Sequence, residues 1–307
     1  MQRGPWFLLF VCTVGCGGAG TESSESFLTA LPSRKTLEIT APTAHAPAAL
    51  SEGSAAAVGE TASLYVLTRQ MTGQVNGFVG GALDTLGAIS RTPPAATGPD
   101  AAAWGPFTDA LSPVAGRLII ARVGPGAHIF RLDLRSKSGT DADYEPFLQG
   151  ASTGASPAGP SQGSFSVDLD LAHRLDPVAK PTQGHVVAGW AVTPGQREVQ
   201  VHLGDVHRPN DPPSSADISS VLRADGSGSL VFDAHANLVG QVRSRWDPSG
   251  AGRADVEVHG GDAADGAQVT ECWDTRFDRV YANGVAPYGG TASEGDPSAC
   301  VFGEPLR

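Results

Sequence analysis

Ser161, in the segment GPSQG, fits a pattern that many hydrolases use for nucleophilic catalysis. In those enzymes the G-x-S-x-G pattern places the serine at a tight turn between a strand and a helix. Here the serine lies within ASTGASPAGPSQGS, and no helical pattern follows it. The context therefore predicts a loop serine and not a nucleophile.

Aspartate and histidine residues form the other candidates for catalysis. Asp168 and Asp170 alternate in a strand-like segment, which would place them on one face about 6.6 Å apart. Glycosidases use carboxylate pairs of this kind. Asp205 and His207 share a face further along the chain. The alternating polar positions of a solvated strand face explain both pairs without catalysis, so a hydrolase with a loop-assembled site is the alternative function.

Metal-binding patterns are equally weak. The segment ADGSGS around Asp225 lacks the alternating Asp or Asn residues of a calcium loop. The histidines lack the spacings that are typical of zinc ligands. We therefore predict no metal ligand, no catalytic residue and no cofactor, and we expect a non-enzymatic protein.

The N-terminus has the layout of a targeting segment. One cation, Arg3, precedes the apolar run PWFLLFVCTV, and the small residues GCGGAG follow it. This order is typical of a secretory signal peptide. The run is about half of the roughly 20 residues that a membrane span needs. We predict a signal peptide over residues 1–15.

The end of this segment resembles the signal of bacterial lipoproteins. Val14, Gly15 and Cys16 fit that pattern, and Thr13 stands where leucine is usual. The resemblance implies that Cys16 becomes the lipidated first residue and that Cys12 is discarded. Acyl chains such as palmitate, at about 0.8 kcal/mol per buried methylene, would then hold the domain on a bilayer. Gly17 in place of aspartate implies the outer membrane of the cell envelope; a freely secreted chain is the alternative.

Charge and the remaining cysteines fit an exported protein. The formal net charge is −11, which argues against nucleic acid and anionic lipid headgroups as partners. Cys272 and Cys300 are the pair that remains after Cys12 and Cys16. An even pair in an oxidising compartment predicts one disulfide, with two separate buried thiols as the alternative.

The rest of the chain divides into a tether and one domain. Residues 16–59 are rich in Ala, Gly, Pro and Ser, which predicts a disordered tether, and residues 60–307 form the domain. From Thr61 to the Pro93–Pro94 pair, apolar residues recur at helical steps of three and four. We expect this helix to face a sheet with the stripe Leu64, Leu67, Met71, Val75, Phe78 and Leu86. Glycines 73, 77 and 81 would bring it close to that sheet.

From Trp104 onward the apolar period changes to two. Segments such as AHIFRLDLRSK, SFSVDLDLAH and REVQVHL alternate apolar and polar residues, and Gly-rich turns separate them. This pattern predicts an antiparallel meander of roughly eight to ten strands with one apolar face. One helix, about 10 Å wide, cannot cover such a sheet. The sheet should therefore curl into a half-barrel or barrel around one long N-terminal helix, in an α+β fold that is mainly antiparallel β.

That arrangement resembles, at the level of fold, the half-barrels of lipoprotein carriers and their chaperones. The lipobox-like start, the DGSGS hairpin and the segments ECWD and ACVFG together resemble uncharacterised lipoproteins of high-GC Gram-negative bacteria. We expect a membrane-anchored protein that binds an apolar ligand or an envelope protein, or that has a structural role. An apolar cavity would favour the binder, and polar side chains that meet in one cleft would favour the hydrolase.

Overall fold

A computed structural model describes the chain over residues 25–42, 57–154, 160–235, 239–260, 263–285 and 291–306. The predicted signal peptide at 1–15 and the predicted lipidation site Cys16 lie outside the described residues. The predicted domain, residues 60–307, falls mostly within them.

The described residues form one antiparallel sheet of fifteen strands, and the strands neighbour one another in chain order. The strands are β1 (Ala96–Thr97), β2 (Ala101–Thr108), β3 (Val114–Gly124), β4 (Ala127–Ser136), β5 (Glu145–Thr153), β6 (Ser161–Asp168), β7 (Gln183–Val192), β8 (Gln196–His207), β9 (Ser214–Arg223), β10 (Gly228–His235), β11 (Val239–Trp246), β12 (Gly252–Gly260), β13 (Ala263–Trp273), β14 (Arg279–Val285) and β15 (Thr291–Gly295). The mainly antiparallel β fold and the meander are confirmed, but the meander has fifteen strands where roughly eight to ten were expected. The sheet is not closed: within the described chain, β1 and β15 remain its two edges.

Alternation along the strands gives the sheet one apolar face, which we call the core face. In β4, Phe130 and Leu132 are buried on this face, and Arg131 between them is exposed on the other. Phe130 lies opposite Ile120 of β3 and Gly150 of β5. A Cβ atom at Gly150 would lie 2.4 Å from the Phe130 ring, so only glycine leaves room for that ring.

Four α-helices accompany the sheet in the residues that the structure describes: α1 (Glu25–Leu28), α2 (Arg34–Leu37), α3 (Ser63–Ser90) and α4 (Leu169–Leu175). The 28-residue α3 begins after two short helices, so the expected single N-terminal helix is not confirmed. None of the helices in the described ranges has the length and apolarity needed to span a membrane.

The buried face of α3 differs from the predicted stripe in its first half. Tyr65, Thr68 and Thr72 are buried there, whereas Leu64 and Leu67 are only partly buried. Thr68 turns inward because its hydroxyl bonds to Ser244 Oγ of β11 at 2.5 Å and donates to the carbonyl of Leu64 at 2.7 Å. These bonds satisfy the hydroxyl, and a stripe chosen by apolarity alone could not include it.

The second half of α3 buries Val75, Val79, Leu83 and Leu86 in the main core, which extends from β2 to β11. The glycines do not mediate this contact. A Cβ atom added at Gly73, Gly77 or Gly81 would meet nothing within 4 Å. The glycine face therefore points away from the sheet, contrary to the expectation.

Residues 25–42 differ from the tether that the sequence predicts for 16–59. This segment, which we call the N-terminal arm, buries Phe27, Leu37 and Ile39 in the same core as α3. The side-chain amide of Asn76 in α3 pairs with both backbone groups of Ile39, at 2.8 and 2.7 Å. The arm helps to cover the core face, and this explains why the sheet does not have to close on itself.

The segment ECWD anchors the start of α3. Ala62 provides no side-chain cap, and instead the carboxylate of Glu271 accepts a hydrogen bond from the backbone N–H of Leu64. Burial raises the pKa of Glu271, although hydrogen bonds from the backbone of Leu64 and Ser63 and the charge of Arg279 oppose that rise. Trp273 packs against Tyr65 of α3, with ring centroids 5.8 Å apart.

Candidate functional site

An apolar cleft of about 710 Å³ lies between α3, α4 and the core face of the sheet. Its apolar lining includes the side chains of Ile89, Phe107, Leu132, Leu134, Phe147 and Ala172. Apolar groups from the helical layer and from the sheet therefore face each other across an open space.

The sheet makes room for this cleft at Gly116 of β3. Gly116 pairs with Leu134 of β4, and a Cβ atom on it would lie 3.2 Å from Leu134 Cδ2. The register of β2 against β3 shifts between Trp104 and Phe107. Trp104 is buried in the core, whereas Phe107 lines the cleft.

The mouth of the cleft is polar. Asp109 lies in the loop between β2 and β3, and Asp176 and Lys180 lie in the loop between α4 and β7. The carboxylate of Asp109 accepts a hydrogen bond from Leu111 N at 3.0 Å, and that of Asp176 accepts one from Ala179 N at 3.1 Å. Both carboxylates are therefore used to shape their own loops. The site can bury an apolar molecule and surround its exposed end with these charges.

The candidate catalytic carboxylates do not form a pair. The strand that was expected to carry both Asp168 and Asp170 ends at Asp168, which caps α4 by accepting a hydrogen bond from Leu171 N at 2.9 Å. Asp170 lies inside α4 and accepts from Gly184 N at 2.8 Å. The prediction that they share a strand face is wrong, because a side-chain cap starts a helix where alternation predicts a continuing strand.

Asp205 and His207 meet only through the backbone. His207 Nδ1 lies 2.7 Å from the carbonyl oxygen of Asp205, in an irregular part of the β8–β9 pairing. Ser161 begins β6 and pairs with Val192, so it is not in the loop that the sequence predicted, and α4 begins only eight residues later. Ser161 is therefore not at a strand-to-helix turn. None of these residues is paired with another as a nucleophile with its general base, so nothing in their placement favours the hydrolase.

Sequence reasoning missed a polar row on the face opposite the core. His202 of β8 lies beside Asp217 of β9, with Nδ1 and Oδ1 2.8 Å apart, and His235 lies 3.9 Å from the same carboxylate. Only the cross-strand register brings these residues together. Within the described ranges, no three His, Cys, Asp or Glu residues are placed to hold a metal ion.

The same face carries a second concavity of about 680 Å³. Its floor includes the small residues Ala121, Ala151 and Ser164, and Ile129 and Val187 border it. All its lining residues belong to strands, so no second layer from the described part of the chain encloses a ligand there. For this reason we take the cleft under α3 as the candidate site.

Cys272 and Cys300 form a disulfide, as the sequence predicts, with their Cα atoms 5.4 Å apart. The bond joins the end of β13 to the short 3₁₀ helix Pro297–Ala299 near the end of the chain. It lies at the opposite end of the sheet order from the strands of the cleft, and its role is to hold the last residues of the chain on the sheet.

No known family model, no curated protein and no solved structure matches this chain. The function of this chain is therefore inferred from its residues and their geometry.

Proposed function

We propose that this chain is a lipoprotein of the cell envelope whose domain binds an apolar ligand without catalysing a reaction. The cleft between α3 and the sheet is the observation that carries this proposal. Its volume of about 710 Å³ lies within the range of roughly 300–1,000 Å³ that is usual for small-molecule sites.

Apolar burial would supply the affinity. Leu132 and Leu134 from the sheet and Ile89 from the helix line the cleft, so a ligand would lose contact with water on two sides. Each square ångström of apolar surface removed from water contributes about 25 cal/mol. A ligand with one apolar chain and a polar end matches the apolar wall and the charged mouth.

In this proposal the open sheet acts as a half-barrel around α3, in the way that the resemblance to lipoprotein carriers implies. The helix then forms one wall of a cavity between the layers. Lipid on Cys16 would hold the domain at a membrane, where apolar ligands are found. The Val14–Gly15–Cys16 pattern and the disulfide, which is typical of exported proteins, support this location.

The binding proposal can be tested with a fluorescent apolar probe. We expect saturable binding to the parent protein and at least a tenfold weaker affinity for Gly116→Val, because the added side chain would enter the cleft beside Leu134. Ala121→Val is the matched control, since Ala121 lies on the same strand but lines the concavity on the other face. Loss of binding in Ala121→Val alone would assign the probe to that face and would contradict the proposal.

The anchor is tested by comparing two cysteine variants in a bacterial host. Cys16→Ser should release the protein from the membrane fraction and remove the mass of the acyl chains. Cys12→Ser should behave like the parent, because the proposed mature chain does not contain Cys12. Equal membrane retention and unchanged mass for all three proteins would refute lipidation at Cys16.

A further inference from the structure

Two loops at the mouth of the cleft are built in the same way. One follows β2 and begins at Asp109, and the other follows α4 and begins at Asp176. In each loop the aspartate carboxylate accepts a hydrogen bond from a backbone N–H two or three residues later. In each, the second residue after the aspartate is apolar: Leu111 in the first loop and Val178 in the second.

These two side chains are unusually exposed. Leu111 is 95% exposed and Val178 is 91% exposed, and the next most exposed large apolar side chain in the described ranges, Val123, is 61% exposed. Single exposed apolar residues are common on protein surfaces. Here, however, both extreme cases lie in loops that contribute lining residues to the same apolar cleft, which indicates a shared function.

A lysine accompanies each loop. Lys137 Nζ donates a hydrogen bond to the carbonyl oxygen of Asp109 at 3.0 Å, so its ammonium group is held at the first loop. Lys180 lies in the second loop, two residues after Val178, and is exposed. The loop aspartates lie at the same mouth and partly offset these cations. The two loops therefore combine protruding apolar tips with nearby ammonium groups, and they carry little net charge.

We propose that these two loops dock the mouth of the cleft on a lipid bilayer. Two separate apolar tips that protrude beside cations suit the interface of a bilayer, where apolar side chains enter the acyl region and cations meet headgroup phosphates. Docking there would let an apolar ligand pass between bilayer and cleft without crossing water. The inference rests on the proposed function, because it assigns the source of the ligand.

The test uses a polarity-sensitive fluorophore on Ala110→Cys, an exposed position next to Leu111. The protein is the full chain with Cys12→Ser and Cys16→Ser, so that the label is confined to position 110 while Cys272 and Cys300 stay disulfide-bonded. Vesicles of phosphatidylcholine, with or without phosphatidylglycerol, should shift the emission to the blue. Because the readout is local to the loop, it does not depend on how the N-terminus contacts the vesicle.

The matched control places the same label on Val123→Cys, near the far end of β3. About nine residues of strand separate it from the start of β3 at the mouth, which corresponds to roughly 30 Å. That label should not shift. Adding Leu111→Asp and Val178→Asp to the protein labelled at position 110 should weaken its affinity for vesicles at least tenfold, as read from the emission shift. Each apolar side chain is worth roughly tenfold in partitioning into the bilayer.

Three results would overturn the inference. They are no shift at position 110, an equal shift at position 123, or a shift at 110 that grows with protein concentration in the absence of vesicles. The last result would assign the loops to contact between two copies of the chain. Probe binding by the Leu111→Asp, Val178→Asp protein in solution separates the two proposals. If the cleft binds the probe and the loops do not meet lipid, only the docking inference fails.

Discussion

Leu86 and Ile89 lie three residues apart on α3, and replacing each by alanine should have unequal effects on stability. Leu86 is 1% exposed and belongs to the main core. Ile89 is partly buried and lines the cleft. The pair therefore compares a filled part of the interface between helix and sheet with an open part of the same interface.

The magnitude for Leu86→Ala follows from its burial. Truncation of a fully buried leucine removes its transfer free energy and leaves a cavity that neighbours fill only partly, which costs about 2–5 kcal/mol. Ile89→Ala would only enlarge a space that already exists, so no new sealed cavity forms. At about 0.8 kcal/mol per buried methylene, its partial burial leads us to expect a loss near 1 kcal/mol.

Urea unfolding monitored by circular dichroism would measure both changes, with an unchanged m value as the check on two-state behaviour. Probe binding should persist in Ile89→Ala, since the cleft becomes wider. Equal losses for the two variants would show that the space beside Ile89 is filled in solution. A loss below 1 kcal/mol for Leu86→Ala would show that α3 is not packed on the sheet as described.

Three further predictions concern other parts of the fold. Replacing Cys272 and Cys300 together by serine should lower the free energy of unfolding by about 3–4 kcal/mol in the chain-entropy model. As a control, the urea unfolding curve of this double variant should match that of the parent protein after reduction of its disulfide. Gly77→Ala should stabilise the protein by about 0.5–1 kcal/mol, because its Cβ atom would meet nothing within 4 Å; a loss of stability would contradict the open space there. Burial, and to a smaller extent the positive charge of Arg122, lowers the pKa of His128. As the pH falls, His128 therefore takes up a proton in the unfolded chain before it does so in the folded protein. The free energy of unfolding should then fall as the pH drops below about 6.5. His128→Leu should reduce that fall in urea titrations between pH 8 and pH 5, and an unchanged pH slope would refute the argument.

Patterns that arise within a few residues could be predicted from the sequence. Alternation in β4 places Phe130 and Leu132 on the core face, because successive side chains of any strand point to opposite faces. The helical steps of three and four located the segment that forms α3. The pairing of Cys272 with Cys300 could be predicted because they are the two cysteines that follow the N-terminal segment.

Local sequence patterns gave wrong predictions where a hydrogen bond to a polar or distant partner determines the secondary structure or the burial of a residue. Alternation continues through Asp168 and Asp170, but the carboxylate of Asp168 caps α4 and ends the strand. Thr68 is buried because the hydroxyl of Ser244, far away in sequence, donates a hydrogen bond to it while Thr68 itself donates to Leu64. Neither effect can be seen in the spacing of apolar residues.

The N-terminal arm and the cleft are the parts that only the tertiary structure decided. Phe27 and Ile39 lie in a short segment whose few large apolar residues show no long repeat, and they become core because the sheet offers an uncovered apolar surface. The cleft requires Gly116, Leu134 and Ile89 to meet from β3, β4 and α3. The sequence by itself determined α3 and the alternating strands, since backbone hydrogen bonding and side-chain direction repeat over a few residues. The space left between those elements depends on how side chains from distant parts of the sequence pack together. A local repeat in the sequence carries no information about that packing.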